Sequence, residues 1–65
     1  MILLTQLNGE QVYVNASLIE TVEGKPDTVI TLTTGKRIVV RESVLEVAKR
    51  VEAYALRRRR HAEKV

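Results

Sequence analysis

Four consecutive arginines, Arg57, Arg58, Arg59 and Arg60, are the densest concentration of chemistry in the chain. Guanidinium groups stay charged and present forked donors, so the run forms an electrostatic footprint for phosphate, an acidic protein surface or an anionic lipid face. The same run also suits a helix end, where cations complement the macrodipole. Other chemistries have less material. With no cysteine and the single histidine His61, a nucleophile, a base and an orienting group cannot be brought together, and a zinc site lacks ligands. Glu20, Glu23 and Glu42 would need a deep cleft to split their pKa values as paired carboxylates, and a short chain of strands offers none. Gly35-Lys36 resembles the end of a phosphate loop, but Arg37 stands where a Ser or Thr is required. Asn15-Ala16-Ser17 has the form of a glycosylation acceptor with no secretory signal ahead of it. The residue types therefore predict a protein that is not an enzyme and uses no cofactor or metal. Nucleic acid is disfavoured as a partner, because only Tyr13 and Tyr54 are available to stack on bases.

The elements that position these residues follow from pattern. Sixty-five residues allow one domain. Residues 2–7 are rich in apolar and β-branched types and end at Asn8-Gly9, which predicts a hairpin with a type I′ turn and a return strand over 10–15. Residues 18–23 read as a third strand, closed by Gly24-Lys25-Pro26-Asp27, where proline presets φ and glycine supplies unusual dihedrals. Residues 28–33 are largely β-branched, Thr34-Gly35 turns the chain, and residues 36–40 complete the last hairpin. Ser43 and Glu46 then have the spacing of a capping box. Val44, Val47, Ala48, Val51 and Ala55, with Tyr54 beside them, form one helical stripe, and Leu45 and Leu56 fall outside it. The expected fold is α+β: an antiparallel β-meander of four to five short strands followed by one C-terminal amphipathic helix. Residues 1–56 form the domain and residues 57–65 a basic helix extension or a frayed tail.

Charge and apolar surface are both unevenly spread. Residues 1–40 carry three basic groups against four acidic, whereas residues 41–65 carry eight against four, so the positive field belongs to the helix and its end. Ile30, Leu32, Ile38 and Val40 share one strand parity, while Val29 and Val39 share the other, as do Leu3 and Leu7 in the first strand. One helix covers one face. The second apolar face predicts a homo-oligomer formed through the sheet. The first residues have neither the basic start nor the apolar run of a signal peptide, and no segment approaches a membrane span, which predicts a cytoplasmic protein.

Particular residues also carry a family resemblance. Met1-Ile2, Leu4-Thr5 and Leu7-Asn8-Gly9 come first, followed by Asn15 with Leu18-Ile19-Glu20 and Glu23. Pro26-Asp27-Thr28 with Ile30 and Leu32, then Gly35-Lys36, Glu42-Ser43 and Glu46-Val47, complete a combination that resembles the small bacterial flagellar FlbD family, also called SwrD, over about residues 1–51. The resemblance implies a flagellar accessory protein linked to motility and swarming. Together with the positive C-terminal segment, it predicts action by protein–protein contact with the flagellar motor or its assembly, and a place in the cytoplasm at the inner membrane face near the flagellar base. It implies no catalysis. A second likeness, carried by residues 1–10 and Val40-Arg41-Glu42, is to the carbon storage regulator family of RNA-binding dimers. Here Val40 stands in place of that family's histidine and Pro26-Asp27-Thr28 has no counterpart.

Overall fold

The structure, a computed structural model, describes residues 1–63, with side chains through Arg57. Strands β1 (Ile2–Thr5), β2 (Gln11–Val14), β3 (Ile19–Glu23), β4 (Thr28–Leu32) and β5 (Arg37–Val40) precede the helix α1 (Val44–Glu63). This is the expected α+β order. The strands do not form one continuous meander, however. β1 and β2 make a two-stranded antiparallel sheet, and β3, β4 and β5 make a separate three-stranded one. The break comes from Asn15, whose Oδ1 accepts the Ser17 N–H at 3.0 Å while its carbonyl accepts the Leu18 N–H at 3.0 Å. These bonds wind Ala16–Leu18 into a 3-10 turn, which carries the chain away from β2 before β3 begins. The two sheets meet again where Gln6 bridges to Val40 and the Arg41 N–H donates to the Thr5 carbonyl at 2.7 Å.

The β1–β2 and β4–β5 hairpins close with one device, and it is not the type I′ turn. In the first, Gln6 N–H donates to Glu10 O at 2.8 Å and Gly9 N–H to Gln6 O at 2.9 Å; in the second, Leu32 pairs with Lys36 and Gly35 at 2.8 Å each. Among the described residues only glycines have positive φ, Gly9 at 91° and Gly35 at 92°. Asn8 therefore stays on the negative side, where a three-residue loop ends in a left-handed glycine that forms the bulge. Asn8 serves by accepting the Glu10 N–H at 2.9 Å, and Thr34 takes the matching place beside Lys36.

Gly24 also departs from expectation, because its φ is not positive. Its reason is space. A Cβ built there would lie 2.5 Å from Val44 Cγ2, so the start of the helix sits directly on this backbone. The Lys25–Pro26 peptide that follows is cis, in an exposed loop.

The core is small and follows strand alternation. Ile2 and Leu4 of β1, Val14 of β2, Ile30 of β4, Val40 of β5 and Val47 of α1 are all buried, with Ile19, Val22, Leu32 and Ile38 packed around them. Only part of the predicted helical stripe reaches it: Val47, Val51 and Tyr54 turn inward, whereas Val44, Ala48 and Ala55 are exposed. Leu45 and Leu56 are exposed, as their positions on the helical wheel imply. The other sheet face is thinner than expected. Val29 and Val39 stand opposite each other there and are half-buried.

Gly24→Ala is expected to destabilise the domain by about 1–3 kcal/mol through overpacking. Adding Val44→Ala, which removes the clashing methyl from a 38% exposed residue, should recover most of that loss. Urea unfolding of the two single variants and the double variant measures the coupling, and additive costs would contradict the contact.

Candidate functional site

The charged side chains nearest the core converge on β1. Because Gln6, Leu4 and Ile2 direct their backbone groups toward β2, those of Leu3 and Thr5 point the other way. No strand lies against that edge over most of its length, yet the Leu3 carbonyl and both polar groups of Thr5 are met. Glu42, at the junction of β5 and α1, receives the Thr5 N–H on both carboxylate oxygens at 2.9 and 3.0 Å. Arg50, two turns into α1, donates from Nη1 to the Leu3 carbonyl. A carboxylate thus stands where a neighbouring strand would place a carbonyl, and a guanidinium where it would place an amide.

The two substitutes are joined to each other. Arg50 Nη1 lies 3.4 Å from Glu42 Oε2, and Arg50 Nε lies 3.2 Å from Glu46 Oε2 one turn earlier. Glu46 therefore serves only half of the predicted capping box: its own N–H donates to Ser43 Oγ at 3.1 Å, while its carboxylate pairs with Arg50. Glu42 is 12% exposed at its side chain and Arg50 38%. Burial works to push the Glu42 carboxyl up. The bonds from the Thr5 amide, its own amide and the Thr5 hydroxyl, together with the Arg50 guanidinium, outweigh burial and hold it below its ordinary value of 4.5.

Arg41 extends the set to the hairpin loop. Its Nε and Nη2 donate to the Leu7 carbonyl at 3.2 and 2.8 Å, across the space beside Gly9. The arginine on which an RNA-binding reading would rely is thus engaged in holding the β1–β2 turn.

Beside this network lies an open groove of about 420 Å³ between β1, β2 and α1. Leu3, Tyr13, Tyr54, Arg50 and Arg57 line it, a combination of aromatic surface and cationic donors that suits an anionic group carried on an apolar segment. Arg57 is exposed here, while the side chains of Arg58, Arg59 and Arg60 lie outside the described residues, as do residues 64 and 65. Among the described residues no three His, Asp or Glu side chains are grouped to hold a metal ion, and no helix is long and apolar enough to cross a membrane.

The other residues singled out by pattern are spread over the fold. Asn8, Gly9 and Gly35 close hairpins, Asn15 caps the 3-10 turn, and Leu18 and Ile19 lead from that turn into β3. Glu20, Pro26 and Asp27 are exposed, and Thr28 is buried opposite Val40. They build the scaffold without meeting at one site. Glu42 and Arg50 were legible only as the spacing of Glu42, Glu46 and Arg50, four residues apart each time, which predicts helix-surface pairs and is silent on β1.

A family model described as FlbD, flagellar and swarming motility proteins, matches residues 1–58. The match runs beyond the resembling motifs and takes in Arg57 and Arg58. No curated protein and no solved structure matches the chain.

Because Glu42 is held below its ordinary value in the folded protein, its stabilising contribution is present above about pH 4.5 and is lost as pH falls further. Glu42→Gln is expected to cost about 1–2 kcal/mol at neutral pH, since a charged acceptor is replaced by a neutral one. Chemical denaturation between pH 3 and pH 7 should show the wild-type and variant curves converging at the acid end; parallel curves would refute the assignment.

Proposed function

Because the chain belongs to the FlbD family of flagellar and swarming motility proteins, we propose that it supports bacterial motility as a small binding module of the flagellar system. It acts by contact and not by catalysis, on a protein of the flagellar motor or its assembly. The groove that joins Tyr13, Tyr54 and Arg57 is the observation that supports a contact surface, because it combines apolar area with a cation at the start of the arginine run. Its chemistry favours an acidic surface, with the anionic inner membrane face as a weak second contact for the run from Arg57 to Arg60. The working place is the cytoplasm near the flagellar base.

The ionic groups closer to the core support this contact from beneath, and of them only Arg50 lines the groove. Glu42, Arg50 and Arg41 are committed to the backbone of β1 and its turn, so a partner meets Arg57 and the tyrosines over a rigid support.

Deleting the gene from a motile host should reduce swimming and swarming, and supplying the wild-type gene should restore both. Arg57→Glu should restore little, because loss of a central arginine contact costs about 2 kcal/mol, roughly thirtyfold in affinity. Circular dichroism of the purified variant should match the wild type. Unchanged motility after deletion would remove the proposal, and full complementation by Arg57→Glu would remove the groove from it.

A further inference from the structure

We propose that the outer edge of β2 is a self-association surface, on which a second copy of the chain adds its own β2 antiparallel to the first. The Gln6–Glu10 pair sets the alternation of the hairpin, so Gln11 and Tyr13 turn their N–H and C=O groups away from β1. None of these four groups meets a partner among the described residues.

The other strand edges are defended. β1 is covered by Glu42, Arg50 and the Arg41 amide. β3 carries a register shift between Ile19 and Thr21 and exposes Glu20 and Glu23. β5 is met by Gln6 at Val40 and is rimmed at its other end by Lys36 and Arg37. β2 has no charge, proline or bulge along Gln11–Val14.

The edge is complementary to itself in one register. With a two-fold axis at Val12, Gln11 of each copy faces Tyr13 of the other, and all four outward groups of both strands find partners in four N–H···O bonds. Glu10 then faces Val14 of the second copy, so no like charges meet. Shifting the axis to Tyr13 would draw in Asn15, whose carbonyl already accepts the Leu18 N–H at 3.0 Å. The product is a four-stranded sheet ordered β1, β2, β2, β1. Tyr13 lines the groove that holds Arg57, and pairing lays Gln11 of the second copy beside it, so the two grooves open on one face of the joined sheet.

This pairing rests on the structure alone, and its failure would leave the motility reading standing. Sedimentation equilibrium of the full chain over a concentration series should show a mass of twice 7.4 kDa at the upper end. The exposed pair Gln11→Lys with Tyr13→Lys sets like charges face to face on both sides of the axis and should raise the dissociation constant at least about tenfold. Gln11→Glu with Tyr13→Lys places opposite charges there and should bring the dimer back. A wild-type chain that stays monomeric at all concentrations overturns the proposal. So does a dimer indifferent to both double variants, or a β2 edge that takes up a different protein in place of a second copy.

Discussion

A strand buried on one side of a small core cannot leave its amides without partners, and β1 has a neighbouring strand on only one edge. The rest of the domain is arranged around that deficit. Glu42 and Arg50 supply an acceptor and a donor to Thr5 and Leu3, and the Arg41 amide supplies one more donor. Those three residues sit on either side of the point where β5 becomes α1, so the direction of the helix is set by the need to reach β1. Val47, the one helical residue with no exposure among the described side chains, lies within the same span and closes the core over Ile2 and Leu4. No buried side-chain nitrogen or oxygen among the described residues is left unpartnered.

Local rules reached most elements and failed where a distant residue intervenes. Strand positions, the helix start at Ser43 and the core parity of Ile30 and Val40 rest on alternation and capping, which are properties of neighbours. Gly24 could not be read correctly, because the reason for it is a side chain twenty positions away at Val44. The split between the sheets was hidden for a related reason: Asn15 reads as a turn residue in either arrangement, and only the bonds to Ser17 and Leu18 decide which way the chain leaves β2. The helical stripe was overdrawn at Val44, Ala48 and Ala55, because the small sheets present enough surface for the face through Val47, Val51 and Tyr54 and no more.

The candidate site shows the same division. Arg57 was visible as a charge, but the tyrosines that give its groove an apolar wall come from β2 and the middle of α1, forty-one positions apart at Tyr13 and Tyr54. The resembling motif positions are largely those of turns and caps. Their shared role is to hold two short sheets and a helix in register, which explains how a pattern can mark a family without marking a reactive centre.

The bonds that complete β1 all span long stretches of chain: 37 residues from Thr5 to Glu42, 34 from Leu7 to Arg41 and 47 from Leu3 to Arg50. Closing such separations costs chain entropy before any contact rewards it, while the β4–β5 hairpin needs only its own loop. The free edge of β1 is therefore complete only when Arg41, Glu42 and Arg50 have all reached it. The opposite edge of the same strand pairs with β2 across a three-residue loop, so one short strand joins the most local and the most distant contacts of the fold.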